Sequence, residues 1–98
     1  MITIKQAPDF AKWYSKLKDR QAKARIDVRL RRISLGNMGD TKPVGDGVQE
    51  IRIFYGPGYR VYFAQAGKTV VLLLCGGDKS TQSADIAKAK RIKEEFGL

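Results

Sequence analysis

Ninety-eight residues leave room for one small domain, residues 1–98, and exclude a multidomain protein on length alone. With 43% hydrophobic and 9% aromatic residues the composition is globular, and nineteen Lys and Arg against ten Asp and Glu leave a net charge of +9 that favours nucleic acid or an acidic protein as partner, with a membrane surface third. A single cysteine rules out an intramolecular disulfide. The absence of histidine leaves too few soft ligands for a structural zinc site and no His relay for catalysis, so metal chemistry through His or Cys is excluded. No cofactor is expected.

Along the chain, Ile2 and Ile4 alternate with polar neighbours in a short strand pattern, and Pro8 then supplies the backbone angle suited to a first helical turn. Phe10, Trp13, Tyr14 and Leu17 line one face of that helix and read as core. A second helix is predicted from about Arg20 to Leu35, with Ala22, Ile26, Leu30 and Ile33 in one seam and Gly36-Asn37 as its stop. The two helices are expected to form an antiparallel hairpin. The stretch from Gly36 to Gly47, GNMGDTKPVGDG, reads as an ordered loop. VQEIRIFY and YRVYFAQA then flank Gly56-Pro57-Gly58, and Gly67-Lys68 turns into TVVLLLC, giving three strands in a meander with the last most buried. From about Ser80 a final helix carries Ile86, Ala89, Ile92 and Phe96 on its apolar face. The predicted order is β-α-α-β-β-β-α, an α+β fold. The longest apolar run, Val70 to Cys75, is too short for a bilayer span and the N-terminus lacks an apolar secretory segment, so a soluble cytoplasmic protein with no membrane partner is expected.

Strand alternation divides the side chains: if Ile51, Ile53, Val61 and Phe63 face the helices, Glu50, Arg52, Arg60 and Tyr62 emerge on the opposite, solvent side. A tight turn near Pro57 would set Arg52 opposite Tyr62. Lys79 projects where the last strand ends, Lys42 overhangs from the glycine-rich loop, and Gly76-Gly77 would leave backbone open to a ligand. Such a face suits an RNA backbone with a base stacked on Tyr62. It equally suits a solvated sheet with cross-strand ion pairs worth only ~0.2–1 kcal/mol each. Arg25, Arg29 and Arg32 make a basic row on the second helix, either a solvated face or a second phosphate contact. Gln82 and Asp85 either brace the start of the last helix or face the cleft beside Lys79. Cys75 reads as an inert core thiol, and neither GNMGD nor GPG has the ending of a phosphate loop.

The segments EIRIFYGPGYRVYF, LLLCGGDKSTQSADIAKAKRI and ARIDVRLRRISLGNMGDTKPVGDGVQEIRI together resemble the RelE/ParE toxin superfamily, in its HigB-like, phage Gp49-related branch of addiction module killer proteins. The resemblance implies a small, mainly antiparallel twisted sheet against an N-terminal helical hairpin. It also implies a type II toxin that cuts mRNA in the ribosomal A site without a metal. Its expected partners are an antitoxin of the helix-turn-helix, HigA-like kind, the ribosome and mRNA, and operator DNA indirectly through that antitoxin. Arg52, Arg60 and Lys79 would then hold the scissile phosphate, with Lys42 and Gln82 on the RNA. Asp85 stands where relatives carry a tyrosine, and the histidines of other relatives are missing, which leaves Glu50 as first candidate for the general base, with Asp78 and Asp85 behind it. A ParE-like inhibitor of DNA gyrase without RNase activity is the alternative.

Overall fold

The computed structural model describes residues 1–98. Its elements run β1 (Thr3–Gln6), α1 (Pro8–Lys16), α2 (Arg20–Ser34), β2 (Thr41–Gly45), β3 (Val48–Arg52), β4 (Arg60–Ala66), β5 (Val70–Gly77), a short 3-10 turn (Lys79–Thr81) and α3 (Gln82–Glu95). Local chemistry sets the helix ends. Pro8 occupies the first turn of α1, where a missing N–H costs nothing, and the Asp19 carboxylate caps α2 by accepting from the Gln21 and Ala22 amides at 3.0 and 3.2 Å. Gly36, at a φ of +91°, then lets α2 stop where the Gly-Asn pair places its end.

The five strands form one sheet in the order β1-β5-β4-β3-β2. Only the β1–β5 pair is parallel, so the class is α+β as expected. One strand exceeds the expectation. Thr41–Gly45, read from sequence as loop, pairs antiparallel with β3 as an edge strand, with a bulge between Pro43 and Gly45. Proline is tolerated at an edge, and Asp46 and Gly47, at φ of +54° and +79°, make the two-residue turn that joins β2 to β3.

Side-chain alternation then builds a core on each face of the sheet. Ile51, Ile53, Val61, Phe63, Val71 and Leu73 pack with Phe10 of α1 and with Ile26 and Ile33 of α2. Val48, Tyr62, Ala64, Leu72 and Leu74 pack with Ala89 and Ile92 of α3. The second face was expected to lie open to solvent; α3 covers it instead, because Ala89 and Ile92 must be buried against an apolar surface and the first face is already taken. Helices thus sandwich the sheet.

Candidate functional site

Pairing across the sheet places Lys42, Glu50, Tyr62 and Cys75 in one row from β2 to β5, with Arg52 opposite Arg60 in the next. The β3–β4 ladder is centred on Gly56, since Ile53 donates to the Tyr59 carbonyl. Arg52 therefore faces Arg60 and not Tyr62 as the tighter turn would have had it. The shared face is right, but α3 closes over much of it. Glu50 is 1% exposed and Tyr62 fully buried. Tyr62 accordingly cannot stack a base, and the Glu50 carboxylate cannot meet a substrate proton while α3 is docked.

What Glu50 does in this position is hold its neighbours. Its Oε2 accepts from Gln82 Nε2 at 2.9 Å and faces Arg60 Nε at 3.5 Å. Arg60, whose side chain is 12% exposed, donates through Nη1 to the Gly58 carbonyl at 3.1 Å. A buried carboxylate is tolerated here because a cation and an amide meet it. Gln82 is thus a brace from the first turn of α3. The Tyr62 hydroxyl, buried among these groups, has no hydrogen-bond partner, and burial together with the Glu50 charge pushes its pKa up.

Lys79 is exposed, and its Cβ lies 3.4 Å from where a Cβ on Gly58 would sit. Gly58 itself adopts a φ of +78°, and Arg60 Nη1 lies 3.6 Å from that same point, so the turn brings Arg60 and Lys79 together on one side of it. Lys42 is exposed on the edge strand beside Glu50. The expectation that Gly76 and Gly77 leave backbone open is overturned. The Trp13 ring covers Gly76, and Asp85 fills the space over Gly77, where it accepts from the Thr81 hydroxyl. Asp78 caps the short turn, and its hydrogen bonds from Ser80 hold it below the usual carboxylate range.

Arg25, Arg29, Arg32 and Arg52 gather elsewhere, lining a groove of about 580 Å³ between α2 and the residues that follow β3. Arg29 is not free for a phosphate: it donates to the Arg52 and Asp40 carbonyls at 2.8 Å each and clamps α2 to the sheet, and burial lowers its pKa. Arg25 lies over the Tyr55 ring at 4.7 Å and Arg52 over Phe54 at 5.6 Å. Sequence reasoning missed Val28 and Phe54, which also line this groove. A valine outside the Ala22-Ile26-Leu30-Ile33 seam of a basic helix was the available signal.

A family model described as "Phage derived protein Gp49-like" matches residues 12–96. The chain belongs to that family. A relative from Haemophilus influenzae, described as an uncharacterized protein, is 52% identical over 97 residues, covering 99% of this chain and 98% of its own. Among solved structures, the Gp49-like fold is that of the RelE toxin of E. coli. A mutant RelE in the free state matches with a TM-score of 0.71 over 93% of this chain and 97% of its own, at 17% identity. RelE in the intact RelBE toxin-antitoxin complex matches at 0.68 over 80% and 96%, also at 17% identity.

Proposed function

We propose that this Gp49-like protein is the toxin of a type II toxin-antitoxin system and that it cleaves mRNA on the ribosome. The observation that carries the reading is the convergence of Arg60 and Lys79 beside the Gly58 turn, on a fold shared with a toxin that is crystallised with its antitoxin. A net charge of +9 suits both an RNA substrate and an acidic antitoxin, here expected to be a helix-turn-helix protein through which the toxin meets operator DNA.

In the chemistry we infer, the 2′-oxygen of the RNA attacks the adjacent phosphorus and the 5′-oxygen of the next nucleotide leaves. A fixed cation aimed at the charge that develops on the phosphoryl oxygens contributes about 3–4 kcal/mol of barrier lowering. Arg60 and Lys79 are those cations, and Lys42 contacts the flanking backbone. Arg52 stands across the ladder from Arg60 and supports the same end of the sheet. Glu50, enclosed by α3, acts on the reaction by holding Arg60, and alignment of the RNA by the ribosome supplies the rest.

The enclosure of Glu50 also favours a second reading, in which the same cations bind DNA gyrase in the ParE-like manner and no RNA is cut. Purified protein added to a translating extract separates the two. Breaks within codons, absent when ribosomes are stalled before the message enters, support the RNase; plasmid relaxed or cleaved with gyrase supports the alternative. Lys79→Ala is the clean variant, because Lys79 is exposed and braces nothing, and it should abolish growth arrest in a folded protein. Full toxicity of that variant refutes the site.

A further inference from the structure

We propose that the groove between α2 and the segment after β3 docks an acidic amphipathic helix of a partner protein. The proposal rests on the toxin-antitoxin part of the reading above, in taking the partner to be a protein that holds the toxin, and not on RNA cleavage.

The α2 wall supplies Gln21, Ala24, Arg25, Val28, Arg29 and Arg32, and Arg52, Ile53 and Phe54 stand opposite. Residues 21 to 32 recur at intervals of three and four and so form a stripe about 17 Å long, the length of three helical turns. Val28 is 49% and Phe54 75% exposed. Of the other large exposed apolar side chains, Phe96 and Leu98 line a smaller hollow of about 320 Å³ with Lys5, Gln6, Ala66, Val70 and Leu72, which holds no arginine, so of these two grooves only the one along α2 sets exposed apolar groups among guanidiniums.

Charge completes the description. The ion pairs of the molecule are Arg60 with Glu50, Lys88 with Asp9 and Lys90 with Asp46; Arg25, Arg32 and Arg52 have none. The buried Nε of Arg52 has no hydrogen-bond partner at all. Arg25 and Arg52 are nonetheless held in place by aromatic rings, which leaves the edges of their guanidiniums free for carboxylates. An RNA strand would satisfy the arginines but not the exposed Ala24 and Val28. A helix with apolar side chains on one face and carboxylates flanking them satisfies both halves of the lining, and its association would be salt-dependent.

The test is a selection of phage-displayed 16-residue segments on the folded full-length chain. Expected are peptides with apolar residues at i, i+3 or i+4, and i+7, flanked by Asp or Glu, whose synthetic forms bind at least ~10-fold more weakly to Val28→Ser/Phe54→Ser and to Arg32→Glu, each shown by circular dichroism to be folded. Failure to enrich such peptides, or equal binding to the variants, overturns the proposal. So does binding of a 12-nucleotide polyuridine RNA that falls with the same substitutions, which would assign the groove to RNA. Growth arrest by the free protein is scored separately: its absence in the wild type refutes the toxin reading whatever the peptides do, while arrest that persists in Val28→Ser/Phe54→Ser without peptide binding to the wild type refutes the groove alone.

Discussion

Gly76→Ala puts the reinterpreted end of β5 to a test whose sign depends on the packing described above. A Cβ built at Gly76 would come within 2.3, 2.4 and 2.6 Å of three carbons of the Trp13 ring, where ordinary contact begins at 3.4 Å, so the indole must retreat by about 1.1 Å. It cannot do so freely, because its ring lies 5.8 Å from that of Phe10 and 6.4 Å from that of Tyr59. Gly76 is not among the glycines at positive φ, so alanine is unstrained there. Without the collision, replacing glycine by alanine would stabilise the chain by roughly 0.4–1 kcal/mol through the unfolded state. With it, overpacking costs about 1–3 kcal/mol, and for a domain near 100 residues each kcal/mol lowers Tm by roughly 4–8 °C. The assay is thermal unfolding followed by fluorescence. Trp13 is the only tryptophan, so a red-shifted native emission reports the displaced ring directly. An unchanged or raised Tm with unshifted emission would show that Gly76 is open after all, as a ligand-accessible strand end requires.

Glu50→Ala should destabilise the protein by about 3–5 kcal/mol in urea unfolding, because it leaves Arg60 and the Gln82 amide facing each other with no carboxylate between them; a loss under about 1 kcal/mol would deny the bracing role. The Cys75 thiol, buried and pushed up to about 12 chiefly by that burial, should react with Ellman's reagent only on unfolding, and prompt reaction of the native protein would contradict its placement. Tyr14, raised to about 12 by burial and by its 2.6 Å hydrogen bond to Asp27, ionises later in the folded chain than in the unfolded one. Its contribution to stability is therefore complete below pH 10 and lost as the pH rises through about 12. Stability curves between pH 9 and 12 should fall less steeply for Tyr14→Phe, and identical slopes would refute the bond.

Much of this fold was legible in the residues. Pro8 and Gly36 marked helix ends, and alternation assigned Glu50 and Tyr62 to one face and Val61 and Phe63 to the other, as found. The strand at Thr41–Gly45 was hidden by glycine and proline, although Asp46-Gly47 is itself a hairpin signal. What alternation does not contain is the element that covers a face. Reading charged residues as solvent-facing placed Glu50 in the open, whereas the apolar stripe of α3 needed the same surface, and Glu50 was enclosed along with Tyr62. The contact of Trp13 with Gly76 joins residues 63 positions apart and leaves no local trace. The same holds for Arg29, whose place in a basic row gives no hint that it binds two backbone carbonyls.

The outer margin of β2 bears on how the protein behaves when crowded. A chain approaching that border would meet Pro43, which has no amide hydrogen to offer, then an irregular step before Gly45, and the ammonium of Lys42 nearby. Copies are thus discouraged from zipping together along that border, which leaves β1 as the edge of the sheet without a proline or a bulge.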